Sequence, residues 1–186
     1  MKKITMLISL LAAFSVADSM RDSRDGKTYK TVKIGNQEWM AENLNYNAQG
    51  SVCYDNDPAN CKKYGRLYTW DAAQEACPAG WHLPSKGEFG TLLGSVGDSG
   101  GEQSKALRSS KWEKGKDKYG FSALPAGYYD SNYKKFDNLG YNASFWFSAE
   151  NDSDSAYRLF IIDRDASFRK INKAPGYSVR CLKDSN

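Results

Sequence analysis

The chain has 186 residues and a formal charge of +4, with 26 Lys and Arg against 22 Asp and Glu and one histidine. That near-balance, with no basic stripe interleaved with aromatics, gives no case for a nucleic-acid partner, and one histidine excludes a His-based metal cluster. The length fits one domain with a sizeable core.

The chain begins with Lys2 and Lys3, an uncharged apolar run over Ile4 to Phe14, and small residues at Ser15-Val16-Ala17. This is the pattern of an export signal over residues 1–17, with the mature domain at 18–186. The run is too short, at roughly 1.5 Å per residue, to cross a bilayer core of about 30 Å. Loss of Lys2 and Lys3 lowers the formal charge from +4 to +2. No cysteine stands near the cut, so no lipid anchor is expected there, and no later stretch is apolar enough to span a membrane.

In chain order, Asp25-Gly26 reads as a turn and Thr28 to Ile34 as a strand. Gly35-Asn36 then turns the chain back into Gln37 to Met40. Tyr54 to Asn60, rich in Asp, Asn and Pro, reads as a tight turn. Trp70, Ala73 and Cys77 fall at i, i+3 and i+7 of a helix stopped by Pro78 and Gly80. Ser85 with Glu88 makes a capping box for a second helix, whose apolar stripe is Phe89, Leu92, Leu93 and Val96. Gly97 to Ser104 reads as a flexible connection, Ala106 and Leu107 as a short helical piece, and Lys111 to Lys118 as a solvated loop. Strands follow at 120–124 and 144–148, then a hairpin of 157–162 with 167–171 across Arg164-Asp165, and a closing strand over 177–182. Pro125 to Asn142 reads as a long aromatic-rich loop. The expectation is an α+β single domain with two early helices packed on short antiparallel strands.

Four cysteines remain in the mature chain, an even number that suits an oxidising compartment and allows three pairings. The pairing expected is Cys53–Cys61, closing the short polar loop, and Cys77–Cys181, stapling an early helix to the last strand. Zinc is the rival reading, but there is no C-x-x-C pair to hold it.

Several blocks resemble the Fibrobacter succinogenes major paralogous domain family, a group of exported bacterial proteins without an established activity. They are residues 25–35 (DGKTYKTVKIG), 39–46 (WMAENLNY), 64–70 (YGRLYTW), 77–84 (CPAGWHLP), 119–128 (YGFSALPAGY), Phe145-Trp146 and 177–181 (YSVRC). More distantly, Trp70-x-x-Ala73-x-x-x-Cys77 with His82-Leu83 is similar to the first helix of C-type lectin-like domains. His82 to Phe89 is similar to a segment of formylglycine-generating enzymes, which share that fold. The resemblance implies a C-type lectin-like architecture, in which a helix cysteine pairs with one on the last strand. It carries little about chemistry, since one fold hosts many sites. The calcium-lectin triplets Glu-Pro-Asn, Gln-Pro-Asp and Trp-Asn-Asp do not occur here. The second half also lacks the thiolate pair that copper needs in the formylglycine enzymes.

Among residues that carry chemistry, His82 reads as structural and Cys77 as a half-cystine. Asn151-Asp152-Ser153-Asp154 is the best oxygen-rich segment for calcium, but reads as a turn. Glu38, Glu42, Glu75, Glu88 and Glu150 supply carboxylates for glycoside hydrolysis without any sign that two of them meet. The tryptophans Trp39, Trp70, Trp81, Trp112 and Trp146 read as core anchors. Tyr128, Tyr129, Tyr133, Phe136 and Tyr141, with Asn132, Asn138 and Asn142, are the ligand-contacting candidates, because amphipathic rings and amides suit a polysaccharide or protein surface. The function expected is an exported, non-enzymatic binding or surface-associated module without cofactor or metal. Its partner would be a polysaccharide or a cell-envelope protein. An enzyme on the same fold and a structural assembly module are the alternatives.

Overall fold

Thr28–Ile34 buries Tyr29 and Thr31 on one face and Ile34 on the other, with Lys30 and Lys33 exposed, so each face of the strand meets a different part of the core. In the computed structural model, which describes residues 18–185, this strand is β2. It pairs antiparallel with β1 (Ser19–Arg21) on one side and β3 (Gln37–Met40) on the other. Gly35, at φ +59, leads the two-residue turn between β2 and β3, where a left-handed first position favours glycine. The expected export signal over 1–17 lies outside the described residues.

Next come β4 (Ser51–Val52), a 3₁₀ turn at Tyr54–Asn56, α1 (Pro58–Tyr64), β5 (Leu67–Tyr68), α2 (Trp70–Gln74) and β6 (Trp81–His82). Helix α1 replaces the tight turn expected after Cys53. Asp57 accepts from the Ala59 N–H and Pro58 occupies the first helical turn, so the turn-forming residues are helix-starting ones here. Helix α2 is shorter than the spacing implied. Cys77 sits in the turn beyond it, still facing the core.

Helix α3 (Lys86–Val96) has the expected capping box and buries Phe89, Leu92, Leu93 and Val96. Helix α4 (Gly100–Leu107) occupies much of what reads as a flexible connection. Its two glycines stand in the first turn, where their cost against alanine is below the ~1 kcal/mol of a helix interior. The Ser99 cap and burial of Ala106 and Leu107 offset that cost.

The C-terminal half is a meander of β9 (Ala143–Glu150), β10 (Ser155–Ile162) and β11 (Asp165–Asn172). The β10–β11 turn is Asp163-Arg164, one residue earlier than expected. Both faces of this sheet are covered, which is why Ala143 to Phe147 is buried throughout. One face, through Phe145, Phe147, Leu159 and Ile161, packs with α3, α4 and Trp39. The other, through Trp146 and Ala156, packs with Tyr68, Tyr177 and Val179. Trp39, Trp112 and Trp146 are buried as expected, whereas Trp70 and Trp81 are half-buried.

Two expected strands are not continuous. Residues 120–124 make one bridge, Ala123 to Arg108. Of the closing strand only β12 (Leu182–Lys183) is regular, with Tyr177 and Ser178 making single bridges. Leu182 pairs with both Trp39 and His82, so the N-terminal hairpin and β6 meet on the chain's end. Among the described residues the protein is thus α+β, with small antiparallel sheets and four short helices where two helices and a short helical piece are expected. Both expected disulfides are formed, Cys53–Cys61 and Cys77–Cys181. Among the described residues no helix is long and apolar enough to cross a membrane.

Arg180, fully buried, fastens the parts. Its guanidinium donates to Asn43 Oδ1 (2.6 and 3.2 Å) and to the carbonyls of Met40 (3.1 Å), Ser122 (3.5 Å) and Phe121. Asn43 in turn donates to the Tyr64 carbonyl at 2.8 Å. Burial pulls the guanidinium down to about 9, with Glu42 and Asp117 acting against it, so it remains charged at neutral pH.

His82 bridges two segments of the fold. Its Nδ1 lies 2.6 Å from Asp184 and its Nε2 2.9 Å from Glu88, so the C-terminal segment is clipped to the start of α3. A neutral imidazole has one N–H and satisfies one carboxylate, while the imidazolium satisfies both. Burial pulls the ring's pKa down, but the bonds to Asp184 and Glu88 outweigh it and the net shift is upward. A raised folded value means the contribution is full below the ordinary 6.5 and is lost as pH rises through the folded pKa. Glu88 is shifted downward on balance, so its share is present above the ordinary 4.5 and lost as pH falls through its folded value. All three side chains are partly exposed, which limits the clip to under about 1 kcal/mol. His82→Gln should therefore lower Tm by about 2 °C near pH 6 and by less at pH 9. Thermal melts showing a pH-independent difference would overturn this assignment.

Candidate functional site

The segment expected as a loop over 125–142 is a hairpin of β7 (Ala126–Asp130) and β8 (Lys135–Leu139). Three positions explain why its pattern reads as loop. Gly127, Lys134 and Asn138 all hold positive φ, which breaks the regular alternation of a strand. At Gly127 a Cβ would stand 2.3 Å from the Asp137 carbonyl oxygen, so the two strands close only over glycine.

The hairpin divides the five aromatic candidates. Tyr128 turns inward, its ring 5.6 Å from Tyr177, and burial pushes its hydroxyl pKa up. Tyr129 and Phe136 form a cross-strand pair at 4.8 Å, and Phe136 lies 5.2 Å from Tyr54. The Tyr129 backbone exchanges both hydrogen bonds with Gly176, at 3.0 and 2.8 Å. These three rings hold the hairpin to the domain. Tyr133, at the turn between β7 and β8, is 74% exposed, and Tyr141, after β8, is 63% exposed. The two are not brought together, because β8 separates them by about 17 Å at ~3.3 Å per residue.

The amides are also divided. The Asn132 N–H donates to Asp130 in the tip turn, and Asn142 is buried, its Oδ1 accepting from the Ser144 hydroxyl. Asn138 is a backbone-strain position.

Most of the other candidates make contacts within the fold. Asp152 accepts from the N–H groups of Ser155 (2.8 Å) and Asp154 (3.1 Å) and pairs with Lys170 at 3.1 Å. The Ser155 bond leads the contacts that hold its carboxyl well below the usual range. Glu38 pairs with Lys183 (2.9 Å), Glu150 with Lys173 (2.6 Å), Glu88 with His82, and Glu42 accepts from the Lys30 N–H at 2.8 Å. No group of three or more metal-ligating side chains gathers among the described residues.

Two cations escaped the sequence reading. Arg158 is half-buried and donates to the Ser144 hydroxyl at 2.7 Å, its guanidinium 4.4 Å from the Tyr177 ring and 4.8 Å from Phe160. Burial pulls its pKa down. Arg108 lies under a cleft that has Tyr141 on its rim. Arg108 stands between Leu107 and Ser109 and Arg158 between Tyr157 and Leu159, with no charge pattern to mark either.

These features define a disulfide-stapled α+β module with an anchored aromatic hairpin. The chain belongs to the Fibrobacter succinogenes major domain family, whose profile matches residues 32–183. No curated protein and no solved structure matches the chain.

Proposed function

We propose that the protein is an exported binding module of C-type lectin-like architecture that holds a glycan or another cell-envelope component. The observation that carries this reading is the exposed ring of Tyr133 at the tip of a hairpin that Tyr128, Tyr129 and Phe136 pin to the domain, with a second exposed ring, Tyr141, just beyond β8. Rings carried on an anchored backbone lose less freedom on contact than rings on a free loop, which favours recognition of a weakly polar surface. The staple from the turn after α2 to the residue before β12 supports the lectin-like architecture. Two disulfides support the exported compartment. All four cysteines are oxidised, so thiolate chemistry has no resident group, and this favours binding over an enzyme of the formylglycine type.

The test is retention on insoluble cell-wall polysaccharides and on a glycan array. Tyr133→Ala and Tyr141→Ala should each weaken binding by about tenfold, the ordinary worth of an exposed aromatic contact, while leaving Tm unchanged. Full binding by the double variant would overturn the reading.

A further inference from the structure

We propose that the cleft beside α4 is an anion-binding subsite that takes the carboxylate, phosphate or sulfate group of an acidic polysaccharide. The proposal rests on the glycan reading above and names the chemical class of that glycan.

Two adjoining hollows of about 370 and 380 Å³ meet at Arg108, Lys114, Asp163 and Arg164. Lys105 and Lys116 line the first, and Trp112, Glu113 and Tyr141 the second. Five cations thus face two carboxylates, Glu113 and Asp163, and the lining carries a formal +3. The mature chain as a whole carries only +2, so the excess is concentrated here.

The backbone holds these like charges together. After α4 the chain doubles back along the helix end. The Lys116 N–H donates to the Lys105 carbonyl (2.8 Å), Asp117 to Arg108 (2.9 Å) and Lys118 to Ala106 (3.0 Å). Lys114 turns the corner at φ +60, a conformation that is costly for a residue with a side chain. Gly115 follows where a Cβ would meet the Ser109 carbonyl oxygen at 2.1 Å. The segment that reads as a solvated charged loop is therefore a fixed edge.

Charge compensation is incomplete. The Asp163 carboxylate is shared by Arg108 (3.1 Å), Lys114 (3.5 Å) and Arg164 (3.7 Å). Lys105 and Lys116 have no carboxylate partner among the described residues. Arg108 is shared by the linings of the two hollows. It is 1% exposed, and its Nη atoms donate to the Glu113 carbonyl (2.6 Å) and to Asp163 (3.1 Å). Its Nε is buried without an acceptor. Trp112, 5.1 Å from the guanidinium, backs it. An oxyanion in the cleft supplies the negative charge that Lys105 and Lys116 lack. Tyr141 on the rim offers a ring face to the sugar that carries the anion.

The full oxidised chain would be titrated with polygalacturonate, a phosphomannan, dextran sulfate and a neutral xyloglucan, which separate the carboxylate, phosphate and sulfate sources. Lys105→Gln/Lys116→Gln/Arg164→Gln alters three exposed side chains and should weaken acidic binding by about tenfold or more. Arg21→Gln/Lys62→Gln/Lys63→Gln removes the same charge elsewhere and should leave affinity near the parent value. An equal loss in this control, or no preference for any acidic polymer over xyloglucan, would overturn the proposal. Xyloglucan binding that Tyr133→Ala abolishes, without acidic preference, removes the subsite and leaves the hairpin reading standing. Acidic binding that survives Tyr133→Ala but not the cleft variant supports the subsite and removes the hairpin tip.

Discussion

Arg180→Met is expected to destabilise the domain by about 2–4 kcal/mol and to lower Tm by roughly 5–15 °C. Methionine fills much of the volume, so the effect is not a cavity. It comes from four acceptors left without their donor: Asn43 Oδ1 and the carbonyls of Met40, Phe121 and Ser122. Each unsatisfied buried acceptor costs about 1 kcal/mol or more. Returning a buried guanidinium to water in the unfolded chain recovers part of that loss, and this sets the lower bound. No carboxylate contacts Arg180, so apolar replacement of a matched ion pair, which is often neutral, is not the relevant comparison. Arg180→Lys keeps a charge but not the planar fork, and should recover less than half of the loss. Asn43→Ala combined with Arg180→Met should be strongly non-additive, because both remove one network. A urea midpoint for Arg180→Met within about 0.5 kcal/mol of the parent would show that those carbonyls are satisfied by other means.

Arg180 also shows where sequence reading stops. It sits in Tyr177-Ser178-Val179-Arg180-Cys181, where strand alternation buries Val179 and Cys181 and turns Arg180 outward. The segment makes only isolated bridges, and both its sides are covered. Its partners lie 59 and 137 residues away, so no local pattern announces the burial. Elements whose signals are local were readable: the Ser85–Glu88 capping box of α3, the β2–β3 turn at Gly35, and the β10–β11 alternation. Helix α1 was hidden because Asp57 and Pro58 start turns and helices alike.

The candidate site divides along the same line. Density of rings and amides marked 125–142 as special, but density says nothing about direction. Direction came from strand pairing, which turned Tyr128, Tyr129 and Phe136 to the domain and left Tyr133 free. The cleft at Arg108 was less legible still. Lys105 and Lys116 are 11 positions apart and become neighbours only because the chain doubles back on α4.

Removing the long disulfide should have the other large effect. Cys77 and Cys181 are separated by 104 positions, and the chain-entropy model gives about 4.7 kcal/mol for a loop of that size. For Cys53–Cys61, at a separation of 8, the same model gives about 2.6 kcal/mol. Cys77→Ala/Cys181→Ala should therefore lower Tm by roughly 10–15 °C, and Cys53→Ala/Cys61→Ala by about half as much. The long loop also restrains the unfolded chain, so its removal should raise the urea m-value, while removal of the short one should leave m nearly unchanged. Equal losses with unchanged m would place the stabilisation in packing around the fully buried Cys181 rather than in the chain. A domain that kept its Tm after full reduction would remove the thermodynamic reason to fold in an oxidising compartment. The export reading would then rest on the N-terminal segment alone.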